Sequence, residues 1–423
     1  MTPTRETMAA ADAAWLQMDT PENRMIITSL MDFDAPLDPV ELERMLEKLA
    51  AHPRFHRRVV APLSPLSLPY WEDDPRFDLR AHVRHVGLPA PGGDEELQRF
   101  VSERMSVGLP PDKPLWELDV IDKQGGTALL LRVHHCVGDG VALVRVLLGL
   151  AEAAVPPPKV VGRAPPPSLG PLQWLIEQAS RAKTLVELLA LSPDPRTLRA
   201  RLGLVKRAAW SRPIRFAAVQ ELAKREGATV NDVLMGALAG ALRDALSSHG
   251  AVPEHEVRAL VPLYLRGAGN GMGNHFGLVF VQLPIAEATR EARLRQLRKR
   301  MGLVKASPTG PLAFEILRAF GAAGAAVERI GVGIFTDKAS LMVTNVAGPQ
   351  AHVRIAGQPL HSMMTWAPTS GHMAMSVSLL SYAGELRIGI CADANLAVDP
   401  SELVRAFEHE LVAELPEAAA PLH

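Results

Sequence analysis

Residues 127–141 of this 423-residue chain read TALLLRVHHCVGDGV, and this stretch decides how the rest is interpreted. The apolar run from Thr127 to His135 predicts a buried strand. Gly138 and Gly140 then predict a sharp turn before a helix that begins at Val141. The two adjacent histidines are therefore expected at the end of a strand.

Because side chains alternate across a strand, His134 and His135 are predicted to point to opposite faces of the sheet. A histidine pair that binds one zinc ion usually has helical spacing or lies on separate elements, and Cys136 and Cys391 show no ligand spacing either. We therefore expect no metal site here.

A competing interpretation is that both histidines are ordinary buried core residues. Two histidines, an aspartate and a glycine at four fixed positions occur by chance in roughly one chain in a thousand. This coincidence favours a functional site. Cys136 next to the histidines suggests a nucleophile, but the sequence shows no separate partner base for it.

Composition restricts the class of protein. With 48% hydrophobic and 22% charged residues, the chain is typical of a globular protein, and its length predicts two domains. Forty-five basic residues against 46 acidic ones give a net charge of -1, which provides no general attraction to nucleic acid.

The predicted location is cytoplasmic. Two cysteines cannot form a disulfide framework in a chain of this length, which favours a reducing compartment. The N-terminus lacks a signal-peptide pattern, and no apolar run reaches the roughly 18 residues of a spanning helix. Peripheral contact with a membrane or a lipid droplet remains open.

A proline-rich segment divides the chain. Residues 155–170 read VPPPKVVGRAPPPSLG, and six prolines exclude a helix or a central strand there. We predict an N-terminal domain at 1–155, a proline-rich and basic crossover linker at 156–214, and a C-terminal domain at 215–423. Helical and strand periodicities alternate in both domains, which predicts an α/β fold.

The predicted strands are Met25–Phe33, Phe55–Val60, Phe77–Val86, Trp116–Ile121, Thr127–His135, Val257–Leu265, Phe276–Leu283, Leu341–Val346, Met373–Leu380 and Leu386–Cys391. One predicted helix begins after Asp38 and another begins at Val141. The other predicted helices cover Glu95–Met105, Leu172–Leu191, Thr229–Ser247, Glu291–Val304, Pro311–Ile330 and Pro400–Leu415. The glycine-rich stretch from Gly267 to Gly277 predicts a loop.

The pattern His-His-x-x-x-Asp-Gly resembles the signature of the CoA-dependent and carrier-dependent acyltransferases. Within that superfamily the chain most resembles the bacterial wax ester synthase/diacylglycerol acyltransferase family. The supporting segments are Pro114-Leu115-Trp116, Asn231-Asp232, VPLYLR at 261–266 with Gly273-Asn274, TNVAGP at 344–349, and Ser381-Tyr382 with Asp393. The chain departs from the family pattern at Tyr264, Thr344 and Ala347.

The resemblance implies two chloramphenicol-acetyltransferase-like α/β sandwich domains with the active site in a tunnel between them. It also implies a reaction in which an acyl-CoA thioester and an alcohol meet, with His135 as the general base and no acyl-enzyme. Acyl-CoA would be a substrate, and no cofactor is expected. The acceptor would be diacylglycerol, giving triacylglycerol, or a long-chain alcohol, giving a wax ester.

Further roles follow from the resemblance. Asp139 is expected to form a structural ion pair, for which Arg266 is the candidate partner. Asn231, and after it Asn345, is a candidate donor to the oxyanion, although Asn231 could instead only shape a helix N-terminus. The remaining motif residues are His134, Gly140 and Asp232, and the substrate-binding candidates are Gly138, Asn274, Thr344 and Asn345.

Two alternatives stay open. A free-standing condensation-type enzyme would share His135 but use a carrier-bound donor, and a non-catalytic lipid-binding protein would keep the motif for structure alone. The bridge from Trp174 to Trp210 is the better candidate for membrane contact. The basic helix that contains Arg293 and Arg300 is more simply explained as solvated.

Overall fold

The computed structural model of the protein describes residues 5–62, 64, 67–153, 171–250, 253–264, 272–306, 309–413 and 415. The proline-rich segment lies almost wholly outside these residues. The predicted ion-pair partner Arg266 and the first part of the glycine-rich loop, 267–271, also lie outside them.

The described part of the chain forms twelve α-helices: α1 (Ala10–Gln17), α2 (Pro39–Ala50), α3 (Pro53–His56), α4 (Asp94–Met105), α5 (Gly140–Leu150), α6 (Pro171–Ala190), α7 (Phe216–Arg225), α8 (Val230–Ser248), α9 (Arg290–Ala306), α10 (Thr309–Ala323), α11 (Ala325–Thr336) and α12 (Pro400–Val412). Short 3₁₀ turns lie at Leu79–Ala81 and Arg196–Leu198.

The strands are β1 (Arg5–Thr7), β2 (Ile26–Phe33), β3 (Arg57–Val60), β4 (Tyr70–Asp73), β5 (Val83–Gly87), β6 (Trp116–Lys123), β7 (Gly126–His134), β8 (Lys206–Trp210), β9 (Ile214–Arg215), β10 (Val257–Tyr264), β11 (Phe276–Leu283), β12 (Leu341–Ala347), β13 (Arg354–Ile355), β14 (Gln358–Pro359), β15 (Ser362–Trp366), β16 (Met375–Tyr382) and β17 (Glu385–Asp393).

Two large sheets organise the molecule. The first has the order β15-β2-β7-β6-β5, and the second runs β11-β10-β12-β16-β17-β8 with β9 also paired to β17. Strand β7 lies at the centre of the first sheet, and nearly every one of its residues is buried. A strand covered on both faces reads as a continuous apolar run, which explains the sequence before His134.

The two sheets are not built from two continuous halves of the chain. Strand β15, from the second half, pairs antiparallel with β2 in the first sheet, so that Trp366 lies opposite Thr28. Strand β8, from within the predicted linker, pairs with β17 at the edge of the second sheet. The domain boundaries near residues 155 and 215 therefore remain predictions.

Three predicted elements are wrong in detail. Phe55 lies in helix α3 rather than a strand, because Pro53 at the first helical position starts a short turn of helix. The predicted strand at Phe77–Val86 is interrupted by the 3₁₀ turn that Asp78 caps. The long helix predicted for Pro311–Ile330 ends before Gly324, whose positive φ of 89° breaks it into α10 and α11.

Helix α1 joins the N-terminal part of the chain to the C-terminal part. It packs along α10, where a Cβ atom placed on Gly321 would lie 1.9 Å from the carbonyl oxygen of Ala10. The Gln17 side chain also donates a hydrogen bond to the Gly321 carbonyl at 3.3 Å. Close backbone approach therefore fixes where the residues of α1 lie.

None of the helices in the described ranges is long and apolar enough to cross a membrane.

Candidate active site

The His-His-x-x-x-Asp-Gly segment begins where β7 ends. The amide of His135 donates to the Met25 carbonyl at 2.7 Å, and the amide of Val137 donates to the His134 carbonyl at 2.9 Å. These bonds close a tight turn, after which α5 begins at Gly140. The predicted sequence of strand, turn and helix is confirmed, with the strand ending one residue earlier.

The imidazole of His135 packs against two aromatic side chains, which also contact each other with ring centroids 5.7 Å apart. It stacks on Trp15 of α1, with ring centroids 4.0 Å apart and planes 16° from parallel. Phe276, the first residue of β11, approaches the same ring at 5.7 Å with a tilt of 54°. Residues from two remote segments of the chain therefore fix the plane of the ring.

Burial keeps His135 neutral. The residue is 5% exposed, and removal from water lowers the pKa of His135 from 6.5 to about 3. Its own main-chain carbonyl and the Asn274 side chain oppose this shift, and nearby His134 adds to it. Burial likewise raises the pKa of the Cys136 thiol well above its usual range, so Cys136 is a poor nucleophile.

His134 contacts a different set of residues. Its Nδ1 accepts a hydrogen bond from the amide of Cys136 at 3.2 Å, and its Nε2 lies 3.8 Å from the Asp19 carboxylate. Asp19 also accepts from the Met25 amide at 2.7 Å and from Arg24 at 3.0 Å. Burial raises the pKa of Asp19, but His134, Met25 and Arg24 outweigh it, so the net shift is downward.

Asp139 holds the turn through main-chain amides. One carboxylate oxygen accepts from the Ala142 amide at 2.9 Å and caps α5, and the other accepts from the His275 amide at 3.0 Å. Burial raises the pKa of Asp139, although both amides oppose this. Among the described residues Asp139 has no arginine partner, and the expected pair with Arg266 remains a prediction.

Asn274 also joins the turn to the C-terminal part of the chain. Its Nδ2 donates to the His135 carbonyl and to the Asp12 carboxylate, both at 2.9 Å. The Asp12 oxygen also accepts from the Asn274 amide at 3.1 Å. Both side-chain hydrogens are thus in use in contacts that support the main chain of His135, and the expected role of Asn274 in substrate binding stays a prediction.

The two candidate oxyanion donors, Asn231 and Asn345, are hydrogen-bonded to each other. Asn345 of β12 donates from Nδ2 to the Oδ1 atom of Asn231, near the start of α8, at 3.2 Å. Asp232 and Thr229 form a capping box at this helix start. Within the described residues neither asparagine hydrogen-bonds to the 134–140 segment, so their role stays a prediction. Thr344 is buried and donates to Ser378 at 3.0 Å.

The two glycines of the motif differ in the space around them. Neither Gly138 nor Gly140 has a positive φ. A Cβ atom on Gly138 would lie 2.9 Å from the Met272 methyl group, whereas Gly140 has open space. Gly138 therefore allows close packing against Met272.

Sequence reasoning missed the residues that surround the base. Asp12, Trp15, Asp19 and Phe276 lie far from the motif along the chain, and none belongs to a pattern that signals catalysis by itself. The one available signal was an acid and a tryptophan at i and i+3 in the otherwise apolar stretch AADAAWLQ. That spacing places both on one face of a helix.

A cavity of about 40 Å³ lies between the two sheets. Its walls include Ile26 and Thr28 from the first sheet and Ser376 and Ala392 from the second. Because binding clefts for small molecules have volumes of roughly 300–1,000 Å³, this cavity alone cannot hold an acyl-CoA.

The basic helix α9 is tied to the protein core. Arg293 is buried and donates to both carboxylate oxygens of Glu410 at 2.8 and 2.7 Å. Arg300 donates to Glu256 at 2.7 Å. The interpretation of these two arginines as a solvated face is therefore wrong for Arg293.

Comparison with known proteins extends over most of the chain. The family model described as the wax ester synthase/diacylglycerol acyltransferase catalytic domain matches residues 8–193, and the model of the C-terminal domain of the same family matches residues 272–413. A putative diacylglycerol O-acyltransferase of Mycobacterium tuberculosis is 29% identical, covering 93% of this chain and 87% of its own. O-acyltransferase WSD of Acinetobacter baylyi is 26% identical, covering 81% and 82%.

Solved structures show the same fold. A wax ester synthase/diacylglycerol acyltransferase from Marinobacter aquaeolei superposes with a TM-score of 0.72 at 23% identity, covering 98% of this chain and 100% of its own. The first condensation domain of the calcium-dependent antibiotic synthetase has a TM-score of 0.65 at 16% identity, covering 99% and 97%. The predicted two-domain acyltransferase fold is confirmed, and the chain belongs to the wax ester synthase/diacylglycerol acyltransferase family.

Proposed function

We propose that the protein is an O-acyltransferase that moves a long-chain acyl group from acyl-CoA to an alcohol, either diacylglycerol or a long-chain alcohol. The observation that carries the proposal is the buried, neutral His135, which packs against Trp15 and Phe276 at the end of β7. Family membership supports the reaction class.

The proposed mechanism uses one base and no acyl-enzyme. Nε2 of His135 accepts the proton of the acceptor hydroxyl while its oxygen attacks the thioester carbonyl carbon. The tetrahedral intermediate collapses, the carbon–sulfur bond breaks, and His135 returns the proton to the CoA thiolate. The Asn231 and Asn345 amides are the candidate donors to the negatively charged oxygen of the intermediate.

The low pKa of His135 has a cost and a benefit for this mechanism. A ring that stays neutral is always available as a base, but a base of low pKa removes a proton weakly. Groups that stabilise positive charge on the ring therefore matter for the rate. In this protein the His135 carbonyl and Asn274 have that effect.

The pH dependence should report the unusual base. A histidine with a pKa of 6.5 would lose activity tenfold per pH unit below that value, whereas a pKa of about 3 predicts no such loss. We expect kcat/KM to change little between about pH 5 and pH 8. As the pH falls from 6.5 toward 3, the unfolded chain gains a proton at His135 that the folded chain excludes, so stability decreases.

The measurement is kcat/KM for thiol release from palmitoyl-CoA across this range, with circular dichroism recorded at each pH. Loss of activity with an apparent pKa near 6.5, in protein that remains folded, would contradict the proposed state of His135.

The same enzyme is proposed to make peripheral contact with a lipid surface. Leu204 and Val205, adjacent in the bridge before β8, are 57% and 58% exposed and together present an apolar pair to the solvent. Leu188 of the same bridge is buried. We expect a smaller fraction of a Leu204→Glu, Val205→Glu double variant than of the wild-type protein to float with phospholipid vesicles. An unchanged floating fraction would contradict the proposed contact.

The acceptor is identified by direct product analysis. Purified protein is incubated with labelled palmitoyl-CoA and either hexadecanol or diacylglycerol, and the ester is identified by its mass. Wax ester or triacylglycerol is expected. If neither acceptor yields an ester, and CoA is not released, the chain would be a non-catalytic lipid-binding protein or a condensation-type enzyme with a carrier-bound donor.

A further inference from the structure

Three basic side chains lie on the exposed face of α9. Arg298 and Lys299 follow Arg295 at spacings of three and four residues, so they share one side of the helix, and all three are exposed. Arg293 of the same helix is instead buried against Glu410. Within the described residues Arg295 and Lys299 have no carboxylate partner, so their charges are available to a ligand.

Helix α7 adds a fourth basic side chain beside them. Nη1 of Arg298 donates to the Glu226 carbonyl in the turn after α7 at 3.3 Å, and its Nη2 would lie 3.8 Å from a Cβ atom placed on Gly227. Lys224, in the last turn of α7, is exposed and has no carboxylate partner in the described ranges either. We call Lys224, Arg295, Arg298 and Lys299 the basic patch.

The basic patch carries an excess of positive charge. The neighbouring Arg225 is paired with Glu226 at 3.4 Å. The acids on α7 and α9 are Glu221 and Glu291, and in the described part of the chain neither forms an ion pair with the patch. The four cations therefore outnumber these two acids, and the surface favours an anionic ligand.

The basic patch lies close to the candidate oxyanion donors. Gly227, with a positive φ of 58°, closes the turn between α7 and α8, and Asn231 follows four residues later. Because four residues of extended chain span at most about 14 Å, Gly227 lies within that distance of Asn231. Asn345, which is bonded to Asn231, is exposed, so this region opens to the surface beside the patch.

We propose that the basic patch binds the diphosphate and the 3′-phosphate at the nucleotide end of the acyl-CoA donor. The proposal rests on the proposed function, in which acyl-CoA supplies the acyl group. In CoA the pantetheine arm separates the thioester from the phosphates, so the phosphates bind at a distance from the reacting carbon and nearer the surface. Lysine and arginine bind phosphate through charge-assisted hydrogen bonds.

The basic patch also bears on the kind of donor. A donor attached to a carrier protein has the pantetheine arm but neither the adenosine nor its 3′-phosphate. Free CoA presents this phosphate together with the diphosphate, and a phosphate monoester alone carries about −1.5 to −2 charge near pH 7. A patch of four cations therefore favours the free thioester over the carrier-bound donor.

An anionic lipid surface is the rival occupant, because Leu303, one turn after Lys299, is 66% exposed. Helices that lie on membranes insert a broad apolar face beneath their basic residues. In α9 the apolar face, which includes Leu294, Leu297 and Met301, is buried against the protein core. Leu303 is the one large exposed hydrophobic residue in the described parts of α7 and α9, so the patch fits phosphate groups better than a bilayer.

The direct test is isothermal titration calorimetry of the purified full chain with adenosine 3′,5′-bisphosphate, which has the 3′-phosphate but no pantetheine. The test variant is Lys224→Glu, Lys299→Glu. The matched control is Arg76→Glu, Arg80→Glu, which changes the net charge equally. Both control arginines are exposed, lie at or near the 3₁₀ turn before β5, and have no carboxylate partner within the described residues.

The Kd for adenosine 3′,5′-bisphosphate should rise about tenfold in the test variant, since reversing two exposed charges replaces two attractions with repulsions. The Kd of the control should equal that of the wild-type protein. Equal Kd values in the two double variants, or no binding to the wild-type protein, would overturn the proposal.

Kinetics provide a second readout. Contacts that are equal in the ground state and the transition state change KM more than kcat. In the test variant we expect KM for palmitoyl-CoA to rise about tenfold, and to rise less for 3′-dephospho-palmitoyl-CoA. Added salt should raise KM of the wild-type protein more than that of the variant, because salt screens exposed charges.

Vesicle flotation and turnover separate the remaining outcomes. If the test variant floats less with anionic vesicles but keeps its affinity for adenosine 3′,5′-bisphosphate, the patch binds lipid and the proposal is wrong. Calorimetry needs no turnover, so if no ester forms but bisphosphate binding depends on the patch, only the proposed function fails. If ester forms and both double variants keep the wild-type Kd and KM, only this inference fails.

Discussion

Replacing His135 with alanine is expected to lower kcat by about 10²- to 10⁴-fold, the usual contribution of a positioned general base. The reason is the absence of a substitute: Cys136 stays protonated because burial raises its pKa, and the Asp139 carboxylate is occupied by two amides. The measurement is steady-state thiol release from palmitoyl-CoA, with ester formation followed by mass.

His82→Ala is the matched control for this variant. His82 is 3% exposed and stacks on Trp116 at 4.7 Å and 11°, much as His135 stacks on Trp15, and burial also lowers its pKa. It bonds to the Trp116 carbonyl at 2.8 Å and serves packing. We expect His82→Ala to destabilise the protein and to keep kcat.

The comparison separates chemistry from packing. Removing a buried imidazole that stacks on tryptophan costs stability in both variants, so equal unfolding midpoints with unequal kcat would assign the difference to the base. Full turnover by folded His135→Ala would exclude the mechanism proposed for this site.

The strand, turn and helix around the motif could be predicted because they depend on neighbouring residues. The apolar run before His134 fits a strand buried on both faces, and the Asp139 side chain caps the helix that follows it. The same local logic predicted α2, where Asp38 caps and Pro39 begins the helix.

The surroundings of the base could not be predicted in this way. Asn274 is 139 residues from His135 and 262 residues from Asp12, and only the tertiary fold brings the three together. Strand β15 gives no signal of the sheet it will join, because alternation identifies a strand but not its neighbours. Long-range pairing is decided by packing, which a single sequence does not show.

Part of the role of Asp139 could be predicted from the sequence, and part of it could not. Its structural character was expected from the resemblance to the family, but the expected partner was a cation. Within the described residues, the structure shows two main-chain amides on this carboxylate, the nearby amide of Ala142 in α5 and the remote amide of His275 beside β11, and the pair with Arg266 stays a prediction. A carboxylate that accepts hydrogen bonds from two main-chain amides stabilises the turn through these bonds.

Replacing Asp139 with alanine should therefore reduce the free energy of unfolding by about 2–4 kcal/mol. About 1 kcal/mol comes from the lost helix cap, and roughly 1–3 kcal/mol comes from leaving the part-buried His275 amide without an acceptor. Asp38→Ala removes an exposed cap of the same kind from α2, where the carboxylate accepts from Val40 and Glu41, and should cost only about 1 kcal/mol.

Urea denaturation followed by circular dichroism compares the two variants. In the fraction of Asp139→Ala protein that is folded, kcat should decrease less than it does in His135→Ala, because Nε2 of His135 is still present. A loss of stability no greater than that of Asp38→Ala would mean that the bond to His275 contributes nothing. In that case the turn that carries His135 would be held mainly by Asn274 and by the amide of His135 itself, which donates to Met25.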